Sequence, residues 1–341
     1  MRRIRLTLPK NLTSVRAVYE TGIATTDLSP YDQVVLDTTK CAFSEPFPLA
    51  YLSFQIRELQ KKHPSVAWVL DRSSNRFSVY ADRIGFFDYT NISPWATKVG
   101  SSGPTENYVP LEVWSIPEVK ARTDGTPIGA LVDERSEQLA SVLTRKHTGQ
   151  VFETLQYAIR EIFRNALEHS NGSNAVFLGQ FWPKKNEAEI VVADDGVGVA
   201  ENIYDNEFVD VANNLGAIKV ALMPGISGVS RADRVNQDTI WRNSGFGLYV
   251  VSRLAARFGR FCIVSNGDYL ELTRGKQTHR KYPLSGTAVG IRIVIDEASR
   301  SSDFIRRTIE EGERTRSEIV GQHPINASQA SKMLLSDFKK I

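Results

Sequence analysis

Cysteine is almost missing from this chain: Cys41 and Cys262 are the two present in 341 residues. They lie far apart, both in apolar surroundings, so a disulfide framework is excluded and buried free thiols are expected. An excess of one charge is missing too. The 42 Lys and Arg nearly balance the 39 Asp and Glu, leaving a formal net charge of +3, so charge alone does not indicate a nucleic-acid binder. No run is long and apolar enough to span a bilayer, and no membrane is expected as a partner. The start, Met1-Arg2-Arg3-Ile4-Arg5-Leu6, is basic but leads into no apolar stretch. It does not read as a secretory signal, and a reducing cytoplasm is the expected setting.

The remaining composition is that of an ordinary globular protein, 41% hydrophobic and 24% charged. The length suggests two domains. Residues 33–37 read as a short buried strand. Residues 49–62 have helical spacing, with Leu52, Ile56 and Leu59 on one face. Residues 66–70 read as a second strand, and 77–87 as a short helix ending near Gly85. This strand-helix order implies a small α/β domain over residues 1–96. Residues 97–130, rich in Gly, Ser, Pro and Thr, read as a linker with one strand at 109–114. Helices are expected at 133–145 and 149–169, within a second domain spanning 131–298. The last region, 299–341, reads as C-terminal helices: 296–318 carries both charge signs, a solvated face, and a final helix spans 328–340.

Four segments carry chemistry. Glu161 and Asn165, four apart, share a helix face that His169 extends. The neighbouring stripe of Leu155, Ala158, Ile162 and Ala166 is apolar and should face a sheet. An amide oxygen suits Mg²⁺, and a carboxylate can take a proton from an attacking water; exposed polar residues on an ordinary helix are the competing reading. Residues 187–192 read as a strand running into Asp194-Asp195-Gly196-Val197-Gly198. Its glycines permit a tight turn against a flat ligand, though Asp-Gly is also a common hairpin turn. Ser244-Gly245-Phe246-Gly247-Leu248 opens a helix whose free N–H groups and dipole favour an anion. Gly286-Thr287 precedes an apolar strand at 288–295.

Taken in this order, the segments resemble the ATP site of the GHKL superfamily, the histidine kinase-like ATPases, over roughly residues 151–295. The resemblance implies an α/β (α+β) protein. Its C-terminal part would be a two-layer sandwich of Bergerat type, a mixed sheet covered by helices on one face, preceded by the small α/β domain. The implied ligands are ATP and Mg²⁺. Asn165 would hold Mg²⁺, and Glu161 would position or activate water. Asp194, not Asp195, would read the adenine amine beside Gly196 and Gly198. Ser244, Gly245, Phe246, Gly247 and Leu248 would cradle the triphosphate, and Thr287 would bond to the aspartate. The insert at 200–243, with Gly225, Gly228, Lys219, Arg231, Arg234 and Arg242, stands where family members carry a mobile lid. One of those cations is expected at the γ-phosphate.

The first third loosely resembles a STAS domain, the fold of anti-sigma-factor antagonists. The turn Glu45-Pro46-Phe47-Pro48 stands where that family carries its phosphoacceptor, and Ser44 is the nearest hydroxyl. A sensor histidine kinase is disfavoured: His147 lacks the acidic neighbour of its phosphoacceptor motif, and His63 and His169 sit in the wrong contexts. Gyrase- and MutL-like enzymes carry a further domain for which too little chain follows Ile295. The favoured expectation is an ATP-hydrolysing conformational switch in a protein assembly. A serine/threonine kinase of the anti-sigma-factor type acting on a STAS-like partner, and a nucleotide-binding module without turnover, are the alternatives. The expected partner is another protein or a second copy of the chain.

Overall fold

The computed structural model describes residues 1–71, 76–92, 107–121, 128–204, 213–226, 246–298 and 301–320. The chain is mixed α/β. The described strands are β1 Arg3–Thr7, β2 Asn11–Leu12, β3 Gln33–Asp37, β4 Phe43–Ser44, β5 Ala67–Leu70, β6 Tyr108–Ser115, β7 Asn174–Trp182, β8 Glu187–Asp194, β9 Gly259–Ser265, β10 Asp268–Thr273, β11 Lys276–Lys281 and β12 Thr287–Val294. The helices before the long sheet closes are α1 Val15–Tyr19, α2 Pro46–Lys62, α3 Arg76–Arg83, α4 Phe86–Thr90, α5 Ile116–Ala121, α6 Ile128–Thr144 and α7 Gln150–Arg164. They are followed by α8 Val199–Tyr204, α9 Asn214–Ala221, α10 Gly247–Phe258, α11 Ile295–Ala298 and α12 Ser301–Val320. No helix among the described residues is long and apolar enough to cross a membrane.

Seven strands form the central sheet, in the order β11-β10-β9-β12-β8-β7-β6. Every neighbouring pair in it is antiparallel. This corrects the expected mixed sheet. β7–β8 and β9–β10–β11 are hairpins, and β12 returns between β9 and β8 running against both. The β9–β10 turn, Asn266-Gly267, has positive φ at both residues (49° and 84°), the conformation in which a two-residue turn matches strand twist.

The strands alternate side chains between two buried faces. Ala188, Ile190 and Val192 of β8 join Phe261, Ile263, Ile291 and Ile293 in a core under α6, α7 and α10. The apolar stripe Leu155, Ala158, Ile162 and Ala166 of the α7 region lies in that core, as its spacing predicts. Val176, Leu178, Val191, Ala193, Cys262 and Val264 point the other way, into a core shared with α2 and the N-terminal strands. The expectation of helices on one face alone is therefore corrected. Both faces are apolar, and a sheet open on one side would leave these residues in water.

The N-terminal region is built on a small parallel sheet, β1-β3-β5. α2 begins at Pro46, earlier than the expected 49, because prolines are tolerated in a first turn whose N–H groups have no helical partner. It packs directly on the long sheet. The Phe47 N–H donates to Glu189 Oε1 at 3.0 Å, and Tyr51 Oη and Gln55 Nε2 donate to the Pro283 carbonyl at 2.7 and 2.6 Å. The strand expected within a linker is β6, the edge strand paired with β7. The helix expected at 77–87 breaks at Gly85, which adopts φ 82° between α3 and α4. The final helix expected at 328–340 lies outside the described residues.

Candidate functional site

Strand register places the first three polar groups. Thr287 stands opposite Asp194 on β8 and opposite Ser265 on β9. These residues end three adjacent rows on the sheet face that carries α7 and α10. Thr287 Oγ1 and Ser265 Oγ are 3.0 Å apart. Asp194 Oδ1 accepts the Gly196 N–H at 3.0 Å, and the Thr287 N–H also donates to this carboxylate. Asp194 is 6% exposed. Burial pushes its carboxyl up to about 7, against the pull of the Gly196 N–H, and the neighbouring Asp195 charge adds to the rise.

Asp195 has a different environment. It accepts the Ser173 and Asn174 N–H groups at 2.8 and 2.7 Å and Asn174 Nδ2 at 2.9 Å, with Lys61 Nζ at 3.6 Å. Burial works to raise its pKa, but the Asn174 and Ser173 hydrogen bonds and the Lys61 charge hold it below the usual value. One acid of the pair ties down the β7 entry, and the other faces the cleft.

The turn after them depends on Gly198, at φ 85°. A Cβ there would lie 2.0 Å from Asn266 Oδ1. Asn266 Nδ2 in turn donates to the Val197 carbonyl at 2.9 Å, and the Val199 N–H donates to Ser265 Oγ at 2.9 Å. The β9–β10 turn thus braces the Asp-Gly turn. Sequence reasoning missed Ser265 and Asn266; the Asn-Gly dipeptide at a strand end was their signal.

α7 supplies the opposite wall. It is buried along nearly its whole length, including Arg160, Glu161 and Arg164 at 7% exposure each. Glu161 Oε1 accepts Nε and Nη2 of Arg160 at 3.2 and 2.9 Å. Its Oε2 lies against α10, so close to Gly247 that a Cβ there would sit 1.8 Å away. Asp133 of α6 stands 4.0 Å from Arg160 Nε, and burial pushes its carboxyl up to about 6. Sequence reasoning assigned neither Arg160 nor Asp133 a role in the site; Asp133 was expected only as the start of a helix. After Arg164 the helix widens into a π turn, Asn165–His169, a feature common at functional sites. Asn165 Nδ2 is buried with no hydrogen-bond partner.

Glu161, Asn165, His169, Asp194, Gly198, Gly247, Leu248 and Thr287 all line one cleft, with Ile162, Val192, Ile263 and Val289 as apolar walls. Its cavity volume is about 110 Å³. Gly196 shapes the turn but does not line the cleft. Phe246, expected in the phosphate cradle, is fully buried and packs edge-on against Tyr249 in the core. Its aromatic bulk was taken up by packing. Ser244 and Gly245 lie outside the described residues, as do Gly228, Arg231, Arg234 and Arg242.

Part of the insert expected as a lid is packed. α9 buries Ala217, Ile218 and Val220, and Ile203, Ala221 and Ile226 reach the cleft. Gly225 is buried, and its carbonyl accepts Arg316 of α12. Lys219 is exposed on α9 and lines a neighbouring groove instead of the cleft. In the N-terminal region the Ser44 hydroxyl is buried and donates to the Glu45 carbonyl at 3.1 Å. Both cysteines are buried and free, and burial pushes both thiols up to about 12.

Among the described residues no group of three or more His, Cys, Asp or Glu could hold a metal ion. The donor chemistry fits Mg²⁺ only where most of its ligands come from phosphates and water, which is this ion's habit. The orphaned amide of Asn165 is the protein group that fits it: carboxamide O and N exchange places by a flip of the side chain. No family model matches the chain, and no curated protein matches it.

Proposed function

We propose that this cleft binds ATP with Mg²⁺, and that the chain acts as an ATP-hydrolysing conformational switch in a protein assembly. Its C-terminal part would be a Bergerat-type fold with an antiparallel sheet and a second covering layer. One observation carries the reading. A helix, an Asp-Gly turn, a glycine-started helix and a late Thr, distant in sequence, converge on a single cleft. Chance motif matches would scatter over the surface.

Within this reading Asp194 accepts the adenine exocyclic amine, a donor that guanine lacks at that position. Thr287, held from behind by Ser265, stands beside Asp194 on the same side of the base. Leu248, Ile162 and Ile263 exclude water around it. The N-terminus of α10, at Gly247 and Leu248, faces the phosphates with its N–H groups. Asn165 offers its amide to Mg²⁺, which when bound neutralises phosphate charge. Arg160 fixes Oε1 of Glu161, and Oε2 is left to orient a water and take its proton.

The test is the fate of labelled γ-phosphate with Mg²⁺ and the full chain. Release as free phosphate supports the switch. Transfer to an added STAS-type protein would make the chain a serine/threonine kinase, and unchanged ATP with measurable binding would leave a module without turnover. Absence of binding would remove the proposal.

A further inference from the structure

A second concavity lies beside the cleft, formed by α9, α10, the β10–β11 hairpin and α12. It is larger, with a volume of about 670 Å³. Lys219, Arg253, Arg257, Arg274 and Lys276 line it, and all five are exposed. None of the five forms an ion pair among the described residues; Arg253 and Arg257 lie only over the rings of Tyr249 and Phe258. Glu311 is the one acid among the described lining residues. Five cations against one acid is a local excess within the groove, with Asp296, Glu297 and Asp303 confined to the adjoining concavity that shares Arg257 and Arg274. The floor is apolar, from Leu222, Leu270, Leu272, Phe304 and Met223, and Met223 remains 40% exposed.

We propose that this groove docks an acidic, amphipathic segment of another protein, with apolar side chains seated on the floor and carboxylates on the basic rim. Charge complementarity selects the occupant. Unpaired cations around an apolar floor match a ligand that presents both properties together. A phosphate backbone would satisfy the rim and leave the floor in water. Among its described lining residues the groove also offers no exposed aromatic ring for base stacking: Tyr249 is buried and Phe304 half-buried. A bilayer surface is too flat to reach a floor set between three helices and a hairpin. The proposal stands whether or not the cleft binds ATP.

The experiment uses the full chain and fluorescence anisotropy with three labelled probes. These are a synthetic Glu/Asp-rich peptide with Leu and Phe at helical spacing, the same peptide with every Leu and Phe replaced by Ser, and a single-stranded DNA. Saturable binding of the first peptide, weaker by about tenfold in Arg274→Glu/Lys276→Glu and weakened by salt, is expected. Arg274 lies in the β10–β11 turn and Lys276 directly after it, and circular dichroism checks the fold. Met223→Ser, an uncharged change at an exposed position on another element, should weaken the first peptide and leave the Ser-substituted one unaffected. No saturable binding of the first peptide, equal affinity for its Ser-substituted form, or indifference to both variants would overturn the proposal. Tighter binding of the DNA would make the groove a nucleic-acid site and would overturn it equally.

Discussion

Replacing Asp194 with asparagine should raise stability and lower nucleotide affinity at the same pH. In the folded chain this carboxyl is pushed up to about 7 from an ordinary value of 3.8, chiefly by burial. The folded state therefore holds a proton that the unfolded state releases between these values. The associated stability is fully present below the unfolded pKa and is lost as pH rises through about 7. A shift of this size corresponds to at most ~4 kcal/mol against the ionised form above pH 7. Asparagine keeps an acceptor for the Gly196 and Thr287 N–H groups and avoids that cost. Urea denaturation at pH 8 should show Asp194→Asn more stable than the parent, with the difference vanishing toward pH 4.

Nucleotide binding responds in the opposite sense. A bond from the adenine amine to an ionised carboxylate is worth roughly 1.5–3 kcal/mol, or one to two decades of Kd. Calorimetry at pH 8 should show that loss for ATP in Asp194→Asn, with GTP little changed. In the parent, ATP affinity should fall as pH drops below 7, because a protonated carboxyl accepts the amine more weakly than a carboxylate does. Greater stability with unchanged ATP affinity would leave Asp194 a buried acid with no role in binding. Lower stability at pH 8 would mean that the two N–H groups repay its desolvation, and the burial argument would be wrong.

Glu161→Ala should leave ATP binding intact and lower phosphate release by roughly 10²–10⁴; equal release in single-turnover assays would make Glu161 structural. Gly198→Ala combines a φ of 85° with a Cβ 2.0 Å from Asn266 Oδ1, and should cost roughly 1–3 kcal/mol or more, read as a lower melting temperature. Cys41 and Cys262, both buried with thiols pushed up to about 12, should react with an aromatic disulfide reagent only after denaturation. Rapid labelling of the native chain would contradict their packing.

Local patterns in the sequence were legible where local physics sets them. Residues 33–37 form a strand because a β-branched apolar run has few other uses. The stripe through Leu155 and Ile162 packs on the sheet because helical spacing leaves it no other face. The two acids at 194 and 195 could be told apart only through the resemblance, and their different partners come from β7 and β12, far off in sequence. Long-range choices were not legible. The antiparallel order of seven strands depends on where β12 inserts, and nothing local to residues 287–294 encodes that. Tyr108–Ser115 looked like part of a linker because its neighbours are rich in turn residues, yet an edge strand needs only one partner. Gly225 looked mobile because glycine is permissive, but Arg316, almost a hundred positions on, holds its carbonyl.

The charged residues within the strands explain why the N-terminal region is a layer of this fold and not a tethered neighbour. Arg292 stands opposite Glu189 on one side and Arg260 on the other, all on the face turned from the cleft. Their charges would suit a solvated sheet surface. Instead Glu189 is 1% exposed, paired with Arg292 at 2.8 Å, and Glu45 closes the group by reaching Arg260 and Arg292, each at 3.0 Å. Burial raises the Glu189 pKa against the pull of both guanidiniums, so the cluster is costly to desolvate and adds little net stability. Geometry is what it can supply. Glu45 precedes α2 and Phe47 stacks over Gly290, where a Cβ would sit 2.4 Å from its ring. A slip of α2 along the sheet would strand four charges and drive that ring into backbone. The two strands carrying Asp194 and Thr287 into the cleft are therefore the strands whose opposite face α2 fixes, and the register that builds the site is clamped from behind.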